Sequence, residues 1–127
     1  MNYKKHKNLT LIDCTIEDIE NKAPWFLNAI TEDATIRFDS NILVFVSGVW
    51  HYGHWEGGVW EQGIWENGIW EHGVWRDGVW ERGIWLDGTW RNGTWGGGVW
   101  ENGVWEKGIW ESGIWIDGIK EDIYNKH

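Results

Sequence analysis

A strict five-residue period governs most of this chain. Gly recurs at every fifth position from Gly48 to Gly118, and Trp recurs at every fifth position from Trp50 to Trp115. Val, Ile or Thr separates each Gly from the next Trp, apart from His54, and two mostly polar residues follow each Trp. The unit is Gly-(Val/Ile)-Trp-Glu-x, and its fold must give equal surroundings to equal residues in successive repeats.

Neither an α-helix nor a flat strand satisfies this period. Five residues advance a helix by about 500°, so the Trp side chains would spiral over all of its faces. Each Gly would also cost a helix about 1 kcal/mol relative to Ala. In a flat strand, side chains alternate with period two, and an odd repeat would turn successive Trp residues to opposite faces. A chain that bends once per repeat removes the conflict, with Gly and the polar residues at the corner.

The repeat resembles the pentapeptide-repeat family. Gly48-Val49-Trp50-His51-Tyr52 and the units after it follow that family's order of a small residue, a large apolar residue two positions later, and two further polar residues. Two positions depart from the family: Trp replaces Leu or Phe, and Val or Ile replaces a polar residue. The resemblance implies an all-β fold, a right-handed β-helix with four repeats per coil, whose small and large apolar residues face the core.

Two orientations of the repeat are open, because either Trp or Val/Ile can face inward. We favour Trp inward, since each Trp side chain buries about 150–250 Å². A surface with this many exposed Trp residues would be prone to aggregation. The predicted core is therefore the Trp column, which comprises Trp50, Trp55, Trp60, Trp65, Trp70, Trp75, Trp80, Trp85, Trp90, Trp95, Trp100, Trp105, Trp110 and Trp115.

The chain divides into three predicted regions. Residues 1–47 are mixed in composition and are expected to form an N-terminal cap and irregular first coils. Strand-forming residues are frequent in 34–38 and 42–46, and a short helix limited by Pro24 is expected within 16–30. Residues 48–119 form the repeat solenoid, and residues 120–127 form a short tail or second cap. Solenoids need such caps to cover their edge strands.

Charge and hydropathy exclude several classes of protein. The net charge of −9 argues against nucleic-acid and anionic-membrane partners, because both require clustered Lys and Arg. The sequence has no apolar run of membrane-spanning length, and Asp13 and Glu17 interrupt what would otherwise read as a signal peptide. Cys14 is the one cysteine, so an internal disulfide is impossible. A cytoplasmic or virion-associated location is expected.

No catalytic, cofactor-binding or metal-binding residues are predicted, and no cofactor is expected. His51 and His54 lie close together, but no further Cys or His cluster accompanies them. The repeated carboxylates indicate a solvated acidic face rather than an acid–base pair; they include Glu56, Glu61, Glu66, Glu71, Glu101, Glu106 and Glu111.

The least regular repeat positions suggest a contact surface. Leu86 and Ile116 replace the polar residue after Trp, while Thr89 and Thr94 replace Val/Ile. If sides stack four repeats apart, one column is the most varied and is our candidate contact column: Glu56, Arg76, Gly96 and Ile116.

These patterns predict a non-enzymatic structural or protein-interaction solenoid. Exposed Val/Ile columns would bind a protein partner or a second copy, which predicts a homo-oligomer, in the manner of a virion or phage decoration component. One alternative is an acidic nucleic-acid mimic that inhibits a DNA-binding enzyme. Another is carbohydrate binding by surface Trp, which requires the reversed orientation.

Overall fold

A short mixed segment precedes the repeat in the computed structural model, which describes residues 5–121. Strands β1 and β2 and a helical segment come first, followed by a hairpin of two long strands that turns at Ser40 and Asn41. The bounds are β1 (His6–Lys7), β2 (Thr10–Leu11), α1 (Ile16–Lys22), a 3₁₀ helix (Pro24–Asn28), β3 (Ile30–Asp39) and β4 (Ile42–Tyr52).

Helix α1 begins at a capping box. The Thr15 hydroxyl accepts a hydrogen bond from the Asp18 backbone N–H, and the Asp18 carboxylate accepts one from the Thr15 N–H. Pro24 ends this run and begins the 3₁₀ helix, as expected for a residue that cannot continue an α-helix. The short helix expected within 16–30 is thus present in two pieces.

Each repeat contributes a two-residue strand made of the Val/Ile position and Trp. These strands are β5 (His54–Trp55), β6 (Val59–Trp60), β7 (Ile64–Trp65), β8 (Ile69–Trp70), β9 (Val74–Trp75), β10 (Val79–Trp80), β11 (Ile84–Trp85), β12 (Thr89–Trp90), β13 (Thr94–Trp95), β14 (Val99–Trp100), β15 (Val104–Trp105), β16 (Ile109–Trp110), β17 (Ile114–Trp115) and β18 (Ile119–Lys120). They pair in parallel and build a solenoid of about five turns, which confirms the predicted β-solenoid.

One coil contains three repeats, so the prediction of four repeats per coil is wrong. Trp50 pairs with Trp65 and Trp80 pairs with Trp95, a register of fifteen residues. Three indoles surround the axis of each coil and contact one another edge to face, whereas a fourth side would widen the coil and leave the core underpacked. The right-handed winding of the β-helix, which the family resemblance implies, stays a prediction.

The coil therefore has three faces. Face 1 consists of Val44–Phe45 of β4 with β6, β9, β12, β15 and β18. Face 2 consists of Val49–Trp50 of β4 with β7, β10, β13 and β16. Because β4 runs through both, faces 1 and 2 form one sheet, while face 3 is a separate sheet of β5, β8, β11, β14 and β17.

Indole rings fill the interior, which confirms the inward orientation of Trp. The twelve Trp residues from Trp50 to Trp105 are fully buried, at 0% exposure, and Trp110 and Trp115 are partly buried. Each ring stacks on the Trp one coil away, as Trp65 does on Trp80 with centroids 4.7 Å apart and planes 5° apart. Each ring also meets the next Trp along the chain edge to face, at 5.9 Å for Trp80 and Trp85. Both are favoured geometries for aromatic pairs.

The repeated Gly makes this stacking possible. At Gly83 the backbone φ is +126°, a conformation that side-chain-bearing residues rarely adopt. A Cβ there would also overlap the Gly68 carbonyl oxygen of the coil below. Gly is thus required both for the corner and for the close approach of adjacent coils.

Backbone hydrogen bonds join the coils at every strand. For example, the Ile84 N–H donates to the Gly68 carbonyl at 3.0 Å and the Leu86 N–H donates to the Trp70 carbonyl at 2.8 Å. At several corners a side-chain oxygen accepts a hydrogen bond from the N–H of the following Gly; these residues are Asn67, Asp77, Asp87 and Asp117. Such Asx contacts explain why Asn and Asp recur before Gly.

The N-terminal segment covers the first coil. Trp25 meets Trp55 edge to face at 5.0 Å, and Phe26 lies 6.2 Å from Trp50. Strand β3 adds to β4 in antiparallel orientation, so it extends the sheet without forming a further coil. Of the predicted tail, Lys120 belongs to β18, and residues 122–127 lie outside the described residues.

Candidate interaction surface

The outer surface of each strand consists of the two residues that flank its Trp. Because side chains alternate along a strand, an inward Trp85 turns Ile84 and Leu86 outward together. Ile84 is 36% exposed and Leu86 is partly exposed, whereas Trp85 is buried. Each face therefore carries two outward columns, one at the Val/Ile position and one at the position after Trp.

The four residues of the predicted contact column do not share one column. A coil of fifteen residues stacks Glu56 and Ile116 on face 3, but it places Arg76 on face 1 and Gly96 on face 2. The prediction assumed a spacing of twenty residues, which belongs to a coil of four repeats. The irregular positions that stack on one another are therefore those separated by a multiple of fifteen residues.

The apolar substitutions after Trp are both on face 3. Leu86 and Ile116, which are two coils apart, fall into the same column after Trp. The two Thr substitutions interrupt the Val/Ile columns of faces 1 and 2 instead. Six apolar side chains project from the strands of face 3 that follow β5. We call this set the apolar patch: Ile69, Ile84, Leu86, Val99, Ile114 and Ile116.

Charge also differs among the faces. Face 1 carries ion pairs in which Arg37 lies 3.0 Å from Glu61 and Arg91 lies 3.4 Å from Glu106. Face 3 carries carboxylates along its strands and at the corner after them, and one of these, Glu71, lies 2.5 Å from His54 Nε2 on the same face; the five are Glu56, Glu71, Asp87, Glu101 and Asp117. Of the Lys and Arg residues in the repeat, one borders this face, Arg82, at the corner that leads into β11. Face 3 is thus both the most apolar and the most one-sidedly acidic face.

His51 joins the N-terminal hairpin to the first coils through two carboxylates. Its Nδ1 lies 2.8 Å from Glu66 Oε1, and its Nε2 lies 3.1 Å from Glu32 Oε1. The hydrogen bond to Glu66 is the main cause that raises the pKa of His51 above its ordinary value of 6.5. Burial opposes this effect in part, and the hydrogen bond to Glu32 adds to it.

His51→Gln removes the contacts with Glu66 and Glu32, and we expect it to reduce the change in stability with pH above pH 6.5. A raised folded-state pKa gives stability that is complete below about pH 6.5 and is lost as the pH rises through the folded pKa. Wild-type protein should therefore lose urea resistance as the pH rises above 6.5, and His51→Gln should lose less. An equal loss of urea resistance in both proteins would show that His51 and its two carboxylates do not stabilise the fold. His6→Gln is the matched control, because the effect of His6 lies below pH 6.5.

Two further groups of the N-terminal segment, His6 and Cys14, have shifted pKa values. His6 stacks on Phe26 at 4.6 Å and its Nδ1 lies 2.8 Å from the Thr31 hydroxyl, while burial lowers its pKa. Burial and the nearby carboxylates of Asp18 and Asp13 raise the pKa of the Cys14 thiol, which disfavours a reactive thiolate. Across residues 5–121, no group of three or more His, Cys, Asp or Glu side chains is arranged to hold a metal ion.

Within the described part of the chain, no helix has the length and hydropathy needed to cross a membrane. A scan against protein-family models found no match, and searches of curated proteins and of solved structures found none either. The fold is thus a parallel β-solenoid with a buried Trp ladder, and its outer faces supply the residues from which a function can be argued.

Proposed function

We propose that this protein is a non-enzymatic, rigid scaffold of the pentapeptide-repeat type that associates with other polypeptides, including its own copies. The observation that supports this proposal most strongly is the apolar Val/Ile columns on the outside of a solenoid whose Trp residues are buried. Contiguous exposed apolar columns are typical of interaction surfaces. A virion or other assembly component would use such a scaffold, in the cytoplasm or in a particle.

Self-association is expected at the last described coil. Ile109, Ile114 and Ile119 are about 60% exposed, against 36–38% for Ile64 and Ile69 at equivalent positions within the solenoid. A concave space of about 300 Å³ opens beside Trp110 and Trp115, and Gly118 and Lys120 complete its lining. At the opposite end Trp25 and Phe26 cover the first coil, so the last coils of two copies can meet in a closed, symmetric dimer.

Light scattering coupled to size-exclusion chromatography tests this proposal. Wild-type protein is expected to be a dimer, and Ile109→Thr/Ile114→Thr is expected to be a monomer because the substitutions remove apolar area from the contact. Ile64→Thr/Ile69→Thr is the matched control, with the same substitutions on the same two faces three coils earlier, and it should remain a dimer. A wild-type protein that is monomeric up to millimolar concentration would overturn self-association at this end.

Nucleic-acid mimicry is the competing hypothesis, because the chain is acidic and rod-like in its repeat region. A mimic needs carboxylates along the rod in the places of phosphates. Arg76 and Arg91 interrupt the carboxylate column of face 1, and Arg91 is paired with Glu106. Carbohydrate binding by surface Trp has less support, since the twelve Trp residues from Trp50 to Trp105 are buried.

A further inference from the structure

We propose that face 3 is a docking surface for an amphipathic helix whose apolar stripe is bordered by Lys and Arg. This inference rests on the proposed function and specifies one surface and one class of protein partner for it. The docking surface extends along the length of face 3 and shares Ile114 with the self-association site at the last coil.

The first support is the distribution of apolar residues. Ile84 and Leu86 flank Trp85 on one strand, and Ile114 and Ile116 flank Trp115 two coils further on. The repeat unit ordinarily has Glu at the second of these positions. Both apolar replacements fall on the one face whose Val/Ile column carries no Thr. Four residues of the apolar patch therefore form an unbroken column, and Leu86 and Ile116 stand beside it with Glu101 between them.

The second support is shape. Four successive strands of face 3, from Ile69 to Ile114, lie at about 4.8 Å intervals and give a patch about 14 Å long. Three turns of an α-helix span about 16 Å, with a pitch of about 5.4 Å. Helix residues at i, i+3/i+4 and i+7 would thus lie over successive strands when the helix runs along the solenoid axis.

The third support is charge, which selects the occupant. Carboxylates at Glu56 and Glu101 line the apolar patch, and Asp87 and Asp117 follow at the corner. Glu71 lies in the same column and contacts His54. Two copies meeting through face 3 would bring these carboxylates against one another, and an anionic membrane or nucleic acid would also be repelled. A helix bordered by Lys and Arg complements both the apolar patch and its acidic margin.

A synthetic peptide tests this docking site. The probe is an 18-residue helix with Leu at i, i+3, i+4 and i+7 spacing and Lys elsewhere, and its controls are the Glu-for-Lys version and a scrambled version. Calorimetric titration should show binding of the Lys peptide and no binding of the two control peptides. Circular dichroism should show that the Lys peptide becomes more helical when it binds. Ile84→Thr/Leu86→Gln should weaken binding about tenfold or more, since about 1.4 kcal/mol of lost apolar contact corresponds to that factor.

Matched variants on face 2 distinguish a loss of docking on face 3 from changes in affinity that any surface substitution would cause. Val79→Thr/Glu81→Gln changes the same two positions on a neighbouring face and should alter affinity by less than about twofold. Thr is tolerated at this position, as Thr89 and Thr94 show. Glu56→Gln/Glu101→Gln should reduce the salt dependence of binding, whereas Glu81→Gln/Glu111→Gln should leave it close to wild type.

Three outcomes would overturn the docking site: no binding of the Lys peptide, equal binding of the Glu peptide, or equal weakening by the face 3 and face 2 variants. A chain that dimerises but does not bind the Lys peptide would retain the proposed function and lose this inference. A chain that binds the Lys peptide on face 3 while remaining monomeric would retain this inference and lose the proposed dimer.

Discussion

Gly83→Ala is expected to destabilise the solenoid by about 2–6 kcal/mol. Backbone strain at a φ reserved for Gly costs about 1–3 kcal/mol, and forcing a methyl group into a packed contact costs about 1–3 kcal/mol more. At Gly83 both apply, because φ is +126° and the added Cβ would overlap the Gly68 carbonyl oxygen. Neither coil can yield easily, since both are held by backbone hydrogen bonds to their neighbours.

Gly57→Ala is the matched control for this experiment. Gly57 is also a repeat-region glycine, but no heavy atom lies within 4 Å of its added Cβ and its φ lies outside the positive region. Its replacement should leave the urea midpoint unchanged or raise stability by about 0.4–1 kcal/mol through the unfolded state. If Gly83→Ala and Gly57→Ala had equal urea midpoints, the stacked-corner role of the periodic Gly would be wrong.

Trp80→Ala is expected to cost about 3–5 kcal/mol, as large-to-small changes at buried aromatic positions do. Trp80 is fully buried and stacks on Trp65 at 4.7 Å and on Trp95 at 4.8 Å. Its ring also meets Trp75 and Trp85 edge to face, at 5.9 Å from each. Removing one indole therefore leaves a cavity bounded by four other rings.

Trp115→Ala should cost clearly less than Trp80→Ala. Trp115 is partly exposed, stacks on Trp100 at 4.9 Å and meets Trp110 at 5.8 Å. The comparison of the two urea unfolding curves measures how far burial in the ladder, rather than the mere presence of Trp, stabilises the fold. An equal loss from both substitutions would contradict a continuous buried ladder.

The sequence predicted the main features of the fold because each rests on one residue type. The period excluded a helix and a flat sheet, Gly marked the corner, and the size of Trp selected the inward orientation. Structure confirms the solenoid and the buried ladder. The number of repeats per coil was wrong because it came from a family whose inward residues are Leu and Phe, and three indoles fill a coil that smaller residues would not.

The number of repeats per coil determines which residues share an outer surface. The spacing between Leu86 and Ile116 is thirty residues, which is two coils of fifteen but not a whole number of coils of twenty. With the wrong coil, the contact column combined Arg76 of face 1, Gly96 of face 2 and Ile116 of face 3. The signal for the apolar patch was present in the sequence, yet it became readable only when the strand register fixed which residues stack.

Some features of the N-terminal segment had no periodic signal at all. The carboxylates that bind His51 come from Glu32 on β3 and Glu66 one coil away, and no local pattern relates those positions. The cover that Trp25 and Phe26 provide likewise depends on the turn at Pro24 and on contacts distant in sequence. Such contacts follow from tertiary packing rather than from propensity.

Disulfide trapping measures the register of the coils, and the three-repeat coil defines both the Trp ladder and face 3. In a Cys14→Ser background, Arg76→Cys/Arg91→Cys places two Cys residues fifteen residues apart, directly after the paired strands β9 and β12 of face 1. The spacing of about 4.8 Å between neighbouring strands lies within the range of Cα–Cα distances that a disulfide spans. Glu56→Cys/Arg76→Cys places them twenty residues apart, on faces 3 and 1. Under mild oxidation we predict an intramolecular disulfide in the first pair and free thiols in the second; the reverse result would rule out a coil of three repeats.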